Sequence, residues 1–256
     1  MQPITNLLIN SLRKAVKFVH RDFLELEMLQ KNPIRNEEFC KRSYLRLKTL
    51  LCEELQKYTK YLFFPEGQFD PNNNYETVFL VNPIDSPNNF ARSLPFFAVS
   101  ITCLKQNQDG LTPVSTIIYF PVLNEIYYAE KGRGAWVEKN DLGSNHKGLR
   151  LRVSDNANLE NCLTIIEDLK NNSSQVVNNT RTFGSFCYAA MLLASGKADL
   201  IYLPLLNFTL YYSFDLFIKE AGGVVVDSSD KFIYSNRYIT RELKNLKQNI
   251  ILNLHF

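Results

Sequence analysis

The spacing of apolar residues changes twice along this chain, and those changes restrict the fold more than any single motif does. From Ile4 to Leu29 the residues Leu8, Leu12, Ala15, Val16, Val19, Phe23 and Leu26 recur every three or four positions, the repeat of one helix face. After Asn32-Pro33 the repeat returns from Glu37 to Tyr61 through Tyr44, Leu47, Leu51, Leu55 and Tyr58, with acids early and Lys57 and Lys60 late, as the helix dipole favours. The texture then becomes short β-branched and aromatic runs: Thr77 to Val81, Phe96 to Leu104, Val114 to Phe120, Glu125 to Ala129 and Ala135 to Glu138, divided by Gly, Pro and Asn turns. Beyond about Asp155 the two textures alternate. An apolar run Cys162 to Ile166 and a polar loop Asn171 to Asn179 precede a helix Phe186 to Ala194 and a strand Asp199 to Leu203. A helix Tyr211 to Ala221, closed by Gly222-Gly223, leads to a strand Val224 to Val226, a last helix Thr240 to Gln248 and an apolar end Ile250 to Leu254. Helices, then sheet, then alternation predict a layered α/β protein with one continuous core. No linker divides it, so 1–256 reads as a single domain with two lobes, about 1–170 with helices and mainly antiparallel sheet and about 171–256 alternating α/β.

Several function classes fall away. An apolar content of 45% supplies a core and excludes a disordered chain. A net charge of +3 is too small to argue for nucleic acid or an anionic membrane surface. The greasiest stretch, Leu200 to Tyr212, is broken by Pro204 and Asn207 and falls short of the roughly 18 residues of a membrane span. The first residues lack a basic cluster followed by an apolar core, so a cytoplasmic address is expected. Five widely spaced cysteines without a C-x-x-C pair read as buried, reduced thiols. His20, His146 and His255 have no ligand spacing, and Gly132-x-Gly134 follows a hairpin strand instead of opening a helix, so neither a zinc site nor a nucleotide loop is read.

The segment Val81-Asn82-Pro83-Ile84-Asp85-Ser86-Pro87-Asn88-Asn89-Phe90 is a polar turn leaving an apolar strand. A carboxylate at such a strand end can hold a hard cation such as Mg²⁺, although alone the segment reads more simply as a turn in which Asp85 bonds its own backbone. Its surroundings shift that balance. Four further segments accompany it: Ser93 to Ile101; Val122 to Ala129 with Lys131-Gly132-Arg133-Gly134-Ala135; Arg181-Thr182-Phe183-Gly184-Ser185 with Ala194 to Asp199; and Lys219-Glu220-Ala221-Gly222-Gly223 to Asp227. In order and spacing the five segments resemble the inositol monophosphatase family of Mg²⁺-dependent phosphate monoesterases, whose motif reads Asp-Pro-Ile/Leu-Asp-Gly-Thr-Thr-Asn-Phe. The resemblance implies a layered α-β-α-β-α sandwich of the inositol monophosphatase type, Mg²⁺ as cofactor, a phosphorylated polyol or sugar as ligand, and a homodimer, for which the aromatic Phe208 to Phe217 segment offers either a dimer face or core.

The departures fall on the metal site. The resemblance places metal contacts at Glu66, Asn82, Ile84 and Asp85, catalysis on Asp85 and Glu66, and substrate contacts at Asn88, Gly184 and Ser185. The first motif aspartate is Asn82, and Ser86-Pro87 stands where a Gly-Thr would supply a water-activating hydroxyl. An ungapped count back from Glu220 puts the Trp-Asp pair on Thr209-Leu210, so a metal ligand becomes a hydrocarbon, and puts a polyol-contacting glutamate on Leu203. An upstream acidic pair is reduced to Glu66. The stretch Asn32 to Phe39 lacks an expected water-orienting aspartate, with Glu37 or Glu38 as substitutes only after a register shift, and Asp215 is a spare acid should the ungapped count slip. Each lost carboxylate removes roughly 4 kcal/mol per unit-charge pair at about 4 Å in an effective dielectric near 20, and a divalent ion doubles it. Lost or severely weakened phosphatase chemistry is therefore expected, with Mg²⁺ held weakly or not at all. Two rivals stand beside it: an active enzyme with one metal held by Glu66, Asp85 and Asn82, and a non-catalytic binding protein acting on the transcription machinery, with which some bacterial members of the family associate.

Overall fold

The computed structural model describes residues 1–29, 33–139, 148–167, 179–204, 206–228 and 231–250. His146, His255, most of the 171–179 loop and the chain end after Ile250 lie outside them.

The first predicted helix is two, α1 (Pro3–Ala15) and α2 (Val19–Met28), joined by a 3-10 turn at Val16–Phe18. Ala15, Val16, Phe18 and Val19 are all buried, so the apolar face continues through the 3-10 turn from α1 into α2. The next helix, α3 (Pro33–Leu55), starts earlier than its apolar pattern because proline suits the first helical position, and stops earlier because Tyr58 is exposed and holds nothing in the core. The Ser43 hydroxyl donates to the buried Asp22 carboxylate at 2.8 Å, tying α3 to α2.

These helices cover one face of a seven-stranded sheet in the order β1 (Leu62–Phe63), β2 (Thr77–Asn82), β3 (Val99–Asn107), β4 (Gly110–Phe120), β5 (Glu125–Glu130), β6 (Gly134–Lys139) and β7 (Leu149–Leu151). Every pairing is antiparallel except β1 with β2. Period-two alternation divides the strand residues: Phe79 and Val81 of β2 join Ile101 and Ile117 under the helices, whereas Val78 and Leu80 face away with Leu104 and Leu111.

After the short helix α4 (Pro87–Ala91) within this first half, the second half builds β8 (Leu163–Ile166), β9 (Asn179–Arg181), α5 (Phe186–Ala194), β10 (Leu200–Pro204), α6 (Phe208–Glu220), β11 (Val224–Ser228), β12 (Lys231–Ser235) and α7 (Arg237–Ile250). Its strands form a five-stranded sheet in the order β11-β12-β10-β8-β9. Helices α5 and α6 lie between the sheets, since one core cluster joins Ile118, Tyr127 and Val137 of the first to α5, α6 and Ile201, Phe232 and Tyr234 of the second. Ile239 and Leu243 of α7 pack with Cys162 and Leu200 on the outer side. The result is helices, sheet, helices, sheet, helix. The Phe208 to Phe217 segment is core on its inward face, with Phe214 and Phe217 fully buried.

One joint crosses the layers. The Glu220 carboxylate at the end of α6 accepts the Gly132 and Gly134 N–H groups at 2.6 and 2.7 Å, so the Glu-Ala-Gly-Gly and Lys-Gly-x-Gly-Ala segments are halves of a single contact. A Cβ at Gly223 would lie 2.4 Å from Ile218 Cγ2, which leaves room only for glycine where α6 turns into β11. The five cysteines are free thiols, four of them buried. No helix among the described residues is long and apolar enough to cross a membrane.

Candidate functional site

β2 delivers the chain to Asn82, which is 3% exposed, and the following turn enters α4 with Pro87 in its first turn. Ser86, at the start of α4, donates its hydroxyl to the Gly184 carbonyl. Asn89 donates from Nδ2 to the Phe96 carbonyl at 2.7 Å and the Phe183 carbonyl at 2.8 Å. Gly184 sits at φ +70 against that amide, where any Cβ would be strained and within 3.3 Å of Asn89 Oδ1. The motif turn is thereby sewn to the segment that opens α5.

Asp85 is the centre of this seam. Its Oδ1 accepts the Ala98 N–H at 2.6 Å, and its Oδ2 accepts the Ser185 hydroxyl at 2.7 Å and the Cys187 N–H at 3.1 Å. The carboxylate caps α5 where free N–H groups and the helix dipole favour a negative charge, while Ser185 Oγ takes the Tyr188 N–H. Burial still pushes the Asp85 carboxyl above its ordinary range, against the pull of these donors.

A second acid, missed in the sequence, completes the seam. Glu167 follows β8 and accepts the Phe183 N–H on Oε1 at 2.9 Å and the Gly184 N–H on Oε2 at 2.8 Å. Burial, reinforced by the Asp85 charge and opposed by the two N–H donors, pushes it up to about 7. The only sequence signal was an acid closing an apolar run. The expected substrate contacts Gly184 and Ser185 therefore have their N–H and hydroxyl committed to Glu167 and Asp85, while Asn88 is exposed on α4.

The elevated Glu167 carboxyl makes stability depend on pH. Its folded value, about 7, lies above the ordinary 4.5, so the folded state holds this proton longer than the unfolded chain does. The contribution is complete below roughly pH 4.5 and is lost as pH rises to about 7, at most about 3 kcal/mol. Urea midpoints taken across that interval should fall with pH in the parent, and Glu167→Gln should flatten the slope. An unchanged slope in the variant would assign the dependence to another group.

The remaining expected ligands do not converge. Glu66, beyond β1, accepts the Lys48 ammonium and, at 3.0 Å, the Tyr44 hydroxyl. Burial raises its carboxyl, but these bonds outweigh that and hold it below the ordinary range. Leu210 is 3% exposed in the first turn of α6, where its N–H bonds the Asn207 cap at 3.0 Å. Leu203 is wholly buried in β10. The spare acid Asp215 pairs with Lys219 at 2.5 Å, and Glu37 with Lys41 at 2.7 Å. In the stretch where an aspartate is expected, Asn36 is buried, donates to the Ala91 carbonyl at 3.3 Å and leaves its Oδ1 without a partner among the described residues. Ile84 is 4% exposed beside Asp85. Among the described residues no three His, Cys, Asp or Glu side chains converge as a metal site. The donor set does not fit a pair of divalent ions: one acid is paired with lysine, one is engaged by three donors, one position is an amide and one a leucine.

The profile of the inositol monophosphatase family matches residues 1–255. The inositol-1-monophosphatase of Caulobacter vibrioides is 27% identical over 266 residues, covering 96% of this chain and 99% of that protein. The Nus factor SuhB of Buchnera aphidicola subsp. Acyrthosiphon pisum is 23% identical over 92% of this chain and 90% of its own length. The crystal structure of extragenic suppressor protein suhB from Bartonella henselae superimposes with a TM-score of 0.76 at 24% identity, over 97% of this chain and 99% of that one.

Proposed function

This chain belongs to the inositol monophosphatase family, and from that premise we propose that it keeps the phosphomonoesterase fold while its metal-dependent chemistry is lost or residual. The observation that carries the reading is Asp85: the retained motif acid has both oxygens occupied by Ala98, Ser185 and Cys187, and the nearest equivalent of a second acid, Glu66, is spent on Lys48. Polarising a phosphate, generating hydroxide and clamping a leaving oxygen all depend on a bound cation, so they weaken together. Mg²⁺ is the cofactor the resemblance implies, and a phosphorylated polyol or sugar the ligand. The reading takes the protein as a homodimer, which rests on the resemblance.

Phosphate release from inositol phosphates, sugar phosphates and 3′-phosphonucleotides, followed across a Mg²⁺ titration, should stay at background. Sustained Mg²⁺-dependent turnover would overturn the reading in favour of an enzyme using one metal held by Glu66, Asn82 and Asp85. A second reading, a binding role toward the transcription machinery, is favoured by relatives that carry the name Nus factor SuhB. A stable transcription-factor partner recovered with the chain from native lysate supports it.

A further inference from the structure

The outer face of the first sheet, the one that α1 to α3 cover, holds a cavity away from the seam around Asp85. Asp85 is tied to α5 on the inner face, whereas Tyr128 and Trp136 pack with the α1 to α3 core. Strand register makes the cavity. Tyr128 of β5 pairs with Trp136 of β6, which pairs with Arg150 of β7, so the three stand in one row. Two residues on, Glu130 has Ser115 and Gly134 as cross-strand neighbours, both too small to fill the space beside it. A cavity of about 360 Å³ opens there, with Tyr128, Glu130, Arg133, Trp136 and Gly148 among its walls, within the roughly 300–1,000 Å³ of small-molecule sites. A Cβ at Gly148 would stand 2.9 Å from the Tyr128 hydroxyl, so a larger residue there would crowd that wall.

Glu130 gives the cavity its chemistry. It is 2% exposed; its Oε1 accepts the Gln2 N–H, its Oε2 has no hydrogen-bond partner among the described residues, and no cation among them lies within ion-pair distance. A buried carboxylate with a single donor is costly, and a ligand donor on Oε2 would offset that cost. Arg133 is exposed and without an ion pair among the described residues, on a turn that Glu220 holds through the Gly132 and Gly134 N–H groups. Arg150 lies over Gly134 with its guanidinium 5.8 Å from the Trp136 ring centroid, a second exposed cation. These groups set the ligand's polarity: a donor on the acid inside, a flat body against the rings and an anion on the guanidinium outside. We propose that the cavity binds a nucleoside monophosphate whose base carries an amine, with the amine on Glu130, the base against Trp136 and Tyr128, and the phosphate on Arg133. A polyol phosphate, which has no flat apolar face, suits these walls poorly. The inference uses no group of the Asp85 seam and stands whether or not metal-dependent chemistry survives.

Trp136 is the chain's only tryptophan, so its fluorescence reads the cavity directly. Adenosine 5′-monophosphate titrated into the full chain in EDTA should quench it saturably, with half-saturation below about 1 mM, and adenosine should bind about tenfold or more weakly for want of the phosphate contact. Inorganic phosphate should leave the emission unchanged. Arg133→Ala, a change at an exposed side chain, should reduce the nucleotide to the affinity of the nucleoside. Glu130→Gln, which sets an amide donor against either the base amine or the Gln2 N–H, should weaken both by about tenfold. If Glu130→Gln does not fold, Gly148→Val, which narrows the cavity against Tyr128, should weaken both instead. Emission that the nucleotide leaves unchanged up to roughly 10 mM, equal affinity for nucleotide and nucleoside, a response to inorganic phosphate alone, or parent-strength binding in any of these variants would overturn the proposal.

Discussion

Asp85→Ala should cost about 4 kcal/mol or more of folding stability, beyond any effect on activity. The side chain satisfies three buried donors, the Ala98 N–H at 2.6 Å, the Ser185 hydroxyl at 2.7 Å and the Cys187 N–H at 3.1 Å. Each donor left without a partner costs about 1–3 kcal/mol. Relief from desolvating the carboxylate returns part of that, since burial already strains its ionisation. Asp85→Asn keeps one acceptor oxygen and puts an amide donor opposite existing donors, so its loss should be about half as large. Urea unfolding of the parent and both variants measures the difference. A metal ligand held in reserve behaves oppositely, because removing it relieves acid repulsion in the apo protein. Parent-like stability in Asp85→Ala would therefore mean that the carboxylate is free to serve a cation.

The architecture could be read from periodicity wherever an element's own residues decide its form. Phe186–Ala194 is helical at the bounds its sequence implies because Ser185 caps it locally and Gly184 supplies a left-handed turn before it. Helix α6 begins at Phe208, three residues before its expected start. The Asn207 cap was present in the sequence, but the aromatic run after it looks as much like buried strand as helix. Strand β12, unanticipated, has a different cause: Lys231–Ser235 is defined by pairing with β10 on one side and β11 on the other, partners that no local pattern names. The short edge strands β1, β7 and β9 share that cause.

At the site, sequence could count the carboxylates that are gone but could not say what answers those that remain. Lys48 lies 18 positions before Glu66 and on a different element, one residue in a helix face that otherwise reads as solvated charge. Glu167 reaches the 183–184 turn only because β8 pairs in parallel with β9 and sets the two chain ends side by side. Compensation of charge is a property of packing, and so the depletion was visible where the repair was not.

Leu210→Asp, which restores the acid that the resemblance expects on α6, should remove about 4 kcal/mol or more and fail to create a working site. Leu210 is 3% exposed and shares a core cluster with Leu206 and Phe214, so an ionised carboxylate there meets no counter-charge. The other two acids that the resemblance assigns to the metal are engaged, Glu66 with Lys48 and Asp85 with three donors, and Asn82 brings no charge. Leu210→Asn is the control, because it leaves a comparable gap in the core without the charge. Both variants should unfold at lower urea than the parent, the aspartate lower than the asparagine, and Mg²⁺ should not close the gap between them. A Leu210→Asp protein that Mg²⁺ restores to the asparagine variant's stability would show that Lys48 gives way to a divalent ion and that the cleft still accepts metal once its missing acid returns. Adding Asn82→Asp to that protein separates the two accounts further: a cation-accepting cleft gains metal affinity with the second acid, whereas a cleft whose acids stay engaged by Lys48 and by hydrogen-bond donors gains only another buried charge and loses stability again.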